Sequence, residues 1–127
     1  MEPGQKCVIL QGLPASGKTT WAKALVLADP QWKRVNRDEI RRMLHAGQWS
    51  KDNEKLTKAV QVSVILNSLE RGYNVLVDDT NTSPKVIRQL RSDVCQHFPA
   101  VGWKIIRFDV PLQECLRRNR LRSGDER

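Results

Sequence analysis

The sequence contains no apolar run that approaches the roughly 20 residues needed to span a bilayer. Its first eleven residues carry one lysine and an apolar run of only four residues, which is not the form of a secretory signal peptide. These absences predict a cytoplasmic protein with no membrane partner. Its 127 residues, 39% hydrophobic and 28% charged, are typical of one globular domain, which we expect to extend over residues 1–127.

Cysteine is also scarce. The three cysteines, Cys7, Cys95 and Cys115, are an odd number, and none lies in a CxxC spacing. The sequence therefore contains no pattern of a disulfide framework or of a cysteine-ligated metal site. We expect buried or half-buried reduced thiols, as in a reducing cytoplasm.

Acidic residues are fewer than basic ones. The chain has 14 Asp plus Glu against 22 Lys plus Arg, which gives a net charge of +8. Such an excess favours polyanionic partners, although a solvated basic surface that only keeps the protein soluble has the same composition. The clustering of basic residues favours the first interpretation, because five arginines lie in the last eleven residues: Arg117, Arg118, Arg120, Arg122 and Arg127.

Strand and helix patterns alternate along the chain. Short apolar runs predict strands over 7–10, 33–36, 75–77 and 103–108. Apolar residues at helical spacing, with Ser83-Pro84 as a helix start and Gly72 as a helix end, predict helices over 18–28, 38–45, 52–71 and 84–98. This alternation predicts an α/β fold, in which a parallel sheet is covered by helices on both faces.

Residues 12–19 read GLPASGKT and match the phosphate-binding pattern GxxxxGK[ST] without a mismatch. The match lies between a predicted strand and a predicted helix, where glycines let backbone N–H groups turn toward phosphate oxygens. Lys18 is expected to bridge the outer phosphates of ATP, and Thr19 to offer its hydroxyl to Mg²⁺. The other residues expected to contact the nucleotide here are Gly12, Pro14, Ala15, Ser16, Gly17 and Thr20. The motif predicts a P-loop NTPase fold with about four parallel strands, in which the strand before the loop lies beside the strand that leads to Asp79.

A P-loop identifies the ligand but not the reaction, because switch GTPases, ATPases and small kinases share it. The guanine-reading tetrapeptide NKxD is absent. Asp38 follows a predicted strand, at the edge where a parallel sheet binds ligands, and is placed to accept a proton from an attacking hydroxyl. Arg41, three residues on, would hold an anionic acceptor from the same helix face. The alternative is that Asp38 only caps a helix and Arg41 is a surface residue.

Two aspartates, Asp78 and Asp79, follow the strand predicted over 75–77. An acidic residue at the end of a buried strand is how P-loop proteins position Mg²⁺, usually through water. Alternation along the strand would point the two carboxylates to opposite faces, so that only one looks at the phosphate loop. The alternative is that both are solvated and cap a turn.

Several segments together resemble the kinase domain of phage-type polynucleotide 5′-hydroxyl kinases. They are the P-loop, VNRDEIR at 35–41, VDDTN at 77–81, FDVP at 108–111 and RNRLRSG at 118–124, in the family's order. The resemblance covers about 8–124. It implies transfer of the γ-phosphate of ATP, with Mg²⁺, to the 5′-hydroxyl of DNA or RNA in nucleic-acid repair, and the host cytoplasm as the location if the chain is phage-encoded.

The resemblance also implies roles for individual residues. Asp38 becomes the general base, and Arg41 grips the phosphate on the 3′ side of the acceptor nucleoside. Lys18 and Thr19 serve the ATP phosphates and Mg²⁺, as the P-loop alone already predicts.

Further roles fall on the later matches. Asp79, rather than Asp78, becomes the crevice-facing acid that serves the metal and the acceptor, and Asn81 follows it in a crevice loop. Arg122 becomes the lid arginine that stabilises the transition state, in a lid at about 118–127. Arg118 is a candidate for stacking on adenine.

Two rival functions stay open at this point. One is a P-loop kinase of a small-molecule alcohol, which uses the same Asp38 chemistry but gains nothing from the net charge of +8. The other is an ATP-binding module without turnover, favoured by the end of the sequence at Arg127, where family members usually continue with helices. Trp49, in a polar loop, is the tryptophan to examine for stacking on an acceptor base.

Overall fold

All four predicted strands are present and parallel in the computed structural model, which describes residues 4–12, 16–79 and 83–108. The strands are β1 (Lys6–Gln11), β2 (Trp32–Val35), β3 (Asn74–Val77) and β4 (Gly102–Arg107), in the spatial order β2-β3-β1-β4. β1 pairs with β3 on one side and with β4 on the other. The predicted parallel sheet is confirmed, and so is the contact between the strand before the phosphate loop and the strand that leads to the aspartates.

Four helices lie between the strands in the described part of the chain: α1 (Lys18–Ala28), α2 (Arg37–His45), α3 (Lys51–Glu70) and α4 (Pro84–His97). α1 connects β1 to β2, the pair α2 and α3 connects β2 to β3, and α4 connects β3 to β4. Such helical crossovers are what a parallel sheet requires, because each strand must start again at the same edge. The predicted helix boundaries agree with these to within one residue at either end.

Local signals fix the helix ends. The Ser83 side chain accepts a hydrogen bond in the first turn of α4, and Pro84 opens that helix. Gly72 follows α3 with a φ of +91°, and its N–H and that of Tyr73 donate to carbonyls in the last turn. This is a Schellman motif, in which glycine avoids the steric cost of the left-handed region.

Strand side chains alternate between two hydrophobic clusters, one on each face of the sheet. One cluster packs beneath α3 and α4 and includes Cys7, Ile9, Val35, Ile65, Val75, Val77, Leu90 and Val94. The other packs beneath α1 and includes Val8, Leu10, Ala22 and Leu76. The prediction of helices on both faces is therefore confirmed.

The cysteines that the structure describes are core residues rather than bridges. Cys7 is buried and Cys95 is half-buried, and both are free thiols. Burial, with a smaller effect from Cys95, raises the pKa of Cys7 to about 12, so Cys7 is a neutral thiol at physiological pH. Cys115 lies outside the described residues, as does the predicted lid at about 118–127.

Among the described residues, no helix combines the length and the apolar character that crossing a bilayer requires.

Candidate active site

The carboxyl ends of all four strands meet at one edge of the sheet, because the strands are parallel. At this edge β1 leads into the phosphate loop, β2 leads into α2, and β3 leads into Asp78 and Asp79. Since β3 lies between β1 and β2, the two aspartates lie between the phosphate loop and the start of α2. The groups predicted for phosphate, metal and acceptor chemistry thus share one edge.

Two glycines of the phosphate loop are required by its geometry. A Cβ on Gly12 would lie 2.7 Å from Oγ of Ser16 and 3.1 Å from the carbonyl oxygen of Phe108, both closer than ordinary contact. Gly17 has a φ of +97°, in the left-handed region, and directly precedes α1. Only glycine adopts both positions without strain or displacement of neighbours.

The side chains next to these glycines differ in exposure. Lys18 and Ser16 are buried, Thr19 is half-buried, and Thr20 is exposed. Lys18 and Thr19 lie in the first turn of α1, whose N-terminus attracts anions. These positions are compatible with the predicted contacts of Lys18 with phosphate and of Thr19 with the metal. The exposure of Thr20 gives less support to its predicted contact with the nucleotide.

Asp78 and Asp79 direct their carboxylates to different partners. Asp79 accepts hydrogen bonds from the backbone N–H of Arg37 at 2.8 Å and from Nε2 of Gln61 at 2.7 Å, so its two oxygens contact α2 and α3. Asp78 accepts a hydrogen bond from Nε of Arg34 at 2.9 Å through Oδ2. The alternative that both aspartates are solvated is wrong, because both are buried.

Asp78 retains an acceptor that no neighbour uses. The residue is 0% exposed, and its Oδ1 has no hydrogen-bond partner within the described part of the chain. Oγ of Ser16, in the phosphate loop, is likewise buried and lacks a partner there. Leu76, two residues before Asp78, packs with Ala22 of α1, so alternation places Asp78 on the face that carries the helix of the phosphate loop. Buried polar atoms without partners are uncommon, and two of them at this edge indicate a polar ligand.

These contacts do not favour the role that the resemblance gives to Asp79. The prediction is that Asp79, rather than Asp78, faces the crevice and serves the metal. Because side chains alternate along the extended segment, the Asp79 carboxylate lies on the opposite side from that of Asp78. There one oxygen accepts a hydrogen bond from α2 and the other accepts one from α3. The buried carboxylate oxygen that has no hydrogen-bond partner among the described residues belongs to Asp78.

Asp79 belongs to a buried polar network with Gln61 and Arg37. Oε1 of Gln61 accepts from Nε and Nη2 of Arg37 at 3.0 and 2.8 Å, while its amide nitrogen donates to Asp79. Burial raises the pKa of Asp79 above its ordinary value, and the hydrogen bonds from Gln61 and from the Arg37 N–H only partly offset this. The network joins the end of β3, the first turn of α2 and the middle of α3.

Gln61 was missed by sequence reasoning. Its signal is a polar residue within the buried stripe of α3, where every fourth residue is buried: Thr57, Gln61, Ile65 and Leu69. A fully buried glutamine must be hydrogen-bonded, so the stripe itself indicates a polar network. The identity of its partners does not follow from spacing, because they come from two other elements.

Asp38 lies in the first turn of α2 but does not cap it. The cap is Asn36, whose side chain accepts a hydrogen bond from the N–H of Glu39. The alternative that Asp38 serves as the helix cap is therefore wrong. Oδ1 of Asp38 accepts from Nη1 of Arg41 at 2.5 Å, as the spacing of three residues along a helix allows.

Arg41 is held by a second carboxylate, that of Glu54 in the first turn of α3. Its Nε and Nη2 donate to the two Glu54 oxygens at 3.1 and 2.6 Å. The Glu54 hydrogen bond raises the pKa of Arg41, and in return Arg41 holds the pKa of Glu54 below its ordinary value. Sequence reasoning missed Glu54, because no local pattern links it to α2. The alternative that Arg41 is a surface residue without partners is wrong.

Several predicted site residues lie outside the described part of the chain: Pro14, Ala15, Asn81, Arg118 and Arg122. Trp49, in the loop between α2 and α3, is 71% exposed and is thus accessible to a ligand. A hydrophobic residue directly before a helix cap often packs against a hydrophobic fourth residue of that helix. Trp49 directly precedes the α3 cap Ser50, but the fourth residue of α3 is the charged Glu54.

Comparison with known proteins gives the family and the fold. The chain matches the model of the AAA_33 family, described as an AAA domain, over residues 7–127. A solved Pnkp1/Rnl/Hen1 complex includes a chain 27% identical to this one, with a TM-score of 0.82, over 93% of this chain and 40% of that one. A structure of the Pnkp1/Rnl/Hen1 RNA repair complex is 25% identical, with a TM-score of 0.85, over 100% of this chain and 40% of that one.

A small-molecule kinase has a similar fold. The APS kinase CysC of Mycobacterium tuberculosis, solved with AMPPNP and APS, is 22% identical, with a TM-score of 0.72, over 99% of this chain and 75% of that one. This likeness concerns the fold alone. The predicted P-loop kinase-like fold, with a four-stranded parallel sheet between helices, is confirmed, and the chain spans 40% of the length of each of the two matched chains of the Pnkp1/Rnl/Hen1 complexes.

The buried network generates a stability prediction. Gln61→Leu removes the hydrogen-bond partner of the Arg37 guanidinium, which keeps only its longer ion pair with Asp79, and one hydrogen-bond partner of Asp79, so we expect the free energy of unfolding to fall by about 1–3 kcal/mol. Gln89→Leu, the same substitution at an exposed position of α4, should change it by less than about 0.5 kcal/mol. Urea denaturation measures both, and equal effects would contradict a structural role for the network.

Proposed function

This chain belongs to the AAA_33 family of AAA domains, and from that premise we propose that it transfers the γ-phosphate of ATP to the 5′-hydroxyl of a polynucleotide. The proposal rests mainly on the arrangement of side chains in the first turns of α2. There Asp38 is held by Arg41 at the sheet edge that it shares with the phosphate loop. The similarity to a chain of an RNA repair complex supports a nucleic-acid substrate, as does the net charge of +8.

The residues of the phosphate loop fit a nucleoside triphosphate. The close approach at Gly12 leaves room for backbone alone, and Lys18 lies buried in the first turn of α1. In the proposed complex Lys18 contacts the outer phosphates, and the buried hydroxyl of Ser16 gains the partner that it lacks among the described residues.

The same edge fits Mg²⁺. In the proposed complex the ion would be held by the Thr19 hydroxyl and, through water, by the Asp78 oxygen that has no partner among the described residues. Mg²⁺ bound there would neutralise negative charge that develops on the phosphates. Asp79, which the resemblance places at the metal, instead fixes the start of α2 from β3.

The acceptor side of the proposed reaction belongs to α2. Asp38 accepts the proton of the attacking hydroxyl, and Arg41 holds the Asp38 carboxylate in place. Little covalent chemistry is required of the protein, since phosphoryl transfer is accelerated by positioning and by charge neutralisation. The resemblance adds three further residues to the proposed site: Arg122 as the lid arginine, Arg118 at adenine and Asn81 near the acceptor.

A second candidate is a kinase of a small-molecule alcohol. The observation that favours it is the contact of Arg41 with Glu54, because an arginine already bound to two carboxylates attracts an acceptor phosphate less strongly. A transfer assay on 5′-hydroxyl oligonucleotides against a panel of small alcohols separates the two candidates. If no acceptor is phosphorylated while ATP binds, the chain is instead an ATP-binding module.

The assignment of the metal to Asp78 is tested by its dependence on Mg²⁺. Asp78→Asn weakens the charge toward a metal-bound water, so the Mg²⁺ concentration for half-maximal activity should rise by about tenfold. Asp79→Asn should lower kcat through displacement of α2 and leave the Mg²⁺ requirement unchanged. A raised Mg²⁺ requirement in Asp79→Asn alone would return the metal to Asp79.

The general base is tested with Asp38→Asn. The variant keeps a polar side chain of the same size but cannot take up a proton, so kcat should fall by roughly 10²-fold or more. ATP affinity and thermal stability should change little, because Asn36 and not Asp38 caps the helix. Near-normal turnover in Asp38→Asn would remove the residue from catalysis.

The acceptor is tested with Arg41→Ala. If Arg41 contacts a phosphate on the 3′ side of the acceptor, the KM for a nucleoside 3′-phosphate should rise by about tenfold or more. The KM for the nucleoside without that phosphate should be unaffected. An equal loss on both acceptors means that Arg41 serves only to hold Asp38.

A further inference from the structure

The guanidinium of Arg41 is largely occupied by carboxylates of its own chain. Glu54 takes the edge formed by Nε and Nη2, at 3.1 and 2.6 Å, and Asp38 contacts Nη1 at 2.5 Å. Of the five N–H donors of an arginine, these contacts use three. The edge that best matches a phosphate through two parallel hydrogen bonds is therefore taken by Glu54.

The charges of this trio are also unbalanced. Asp38 and Glu54 carry two negative charges against the one positive charge of Arg41, so the trio presents a net charge of −1 to an approaching phosphate. The contact is half-buried, with 28% of the Arg41 side chain and 19% of the Glu54 side chain exposed, so solvent screens it only in part. An acceptor phosphate can form two parallel hydrogen bonds with Nε and Nη2 of Arg41 only if the Glu54 carboxylate moves away from them.

A second cation is available to Glu54 on the same helix. Lys58 follows Glu54 by four residues, which is the favourable order and spacing for an ion pair along a helix. Lys58 already contributes to the lowered pKa of Glu54, after the larger effects of Arg41 and of Arg37, whose guanidinium is hydrogen-bonded to Gln61. Lys55 is also exposed and carries the same charge, but it is adjacent to Glu54 in sequence, and neighbouring positions of a helix do not face each other.

We propose that Glu54 is a displaceable counter-ion, which binds Arg41 when the acceptor site is empty and exchanges to Lys58 when an acceptor phosphate binds Arg41. The proposal rests on the proposed function for the identity of the acceptor. Glu54 thereby sets the selectivity for phosphorylated acceptors, because each such acceptor must compete with a carboxylate that a neutral alcohol leaves in place.

The test is a binding measurement that needs no turnover. The phosphate loop is first saturated with ADP and Mg²⁺, so that a nucleoside 3′-monophosphate cannot bind there. Calorimetry then gives its Kd for wild type, Glu54→Gln, Lys58→Gln and Lys55→Gln, with the unphosphorylated nucleoside as the parallel probe. Thermal melts establish that each variant is folded.

Opposite outcomes distinguish exchange from simple support of Arg41. Exchange predicts that Glu54→Gln binds the 3′-monophosphate about fivefold more tightly than wild type, with no change for the nucleoside. It also predicts that Lys58→Gln weakens binding more than Lys55→Gln does, although both remove one positive charge. A gain that persists when Arg41→Ala is added to Glu54→Gln would overturn the proposal, since the gain must act through Arg41.

Other results would also overturn it. They are weaker or unchanged binding by Glu54→Gln, equal effects of the two lysine substitutions, and no detectable 3′-monophosphate binding by either wild type or Glu54→Gln. The proposed function fails separately. If wild type phosphorylates no 5′-hydroxyl while the Kd values follow the predicted order, the exchange stands and the polynucleotide reaction does not.

Discussion

The hydrogen bond from the Arg37 N–H to Asp79 is the contact on which the candidate site depends. It joins the end of β3 to the first residue of α2, and the amide of Gln61 on α3 completes the link. Because Asp38 and Arg41 lie within the next turn of α2, this junction and the pairing of β2 with β3 position them relative to the phosphate loop. Burial of the Asp79 carboxylate opposes the junction, as its raised pKa indicates, and the hydrogen bonds that it accepts offset part of that cost.

The features predicted correctly from sequence are those specified by short segments. Gly17 before α1, the serine and proline that start α4, and the glycine that ends α3 each act within a few residues, and each lies where its pattern indicated. The parallel sheet followed from the same segments, because strands that alternate with helices leave few other arrangements.

What the sequence left open, or did not indicate at all, depends on the direction of a single side chain or on a partner that is distant in sequence. Asn36 rather than Asp38 caps α2, a shift of two positions that composition does not reveal. Whether Asp78 or Asp79 faces α1 depends on which strand residues face which side of the sheet. The sequence shows only that the two carboxylates point to opposite sides. Glu54 and Gln61 act on α2 from another helix, so no local spacing identifies them.

The charge of the whole chain and the charge of the three side chains around Arg41 have opposite signs. The chain carries +8, whereas the trio of Asp38, Arg41 and Glu54 carries −1. Long-range attraction can thus bring a polyanion to the protein, while the short-range contact decides whether a phosphate stays at Arg41. In the proposed reaction, a change of selectivity between neutral and phosphorylated acceptors would require no change in the general base. A change in the group that binds Arg41 would be enough, and in this chain that group is the carboxylate of Glu54.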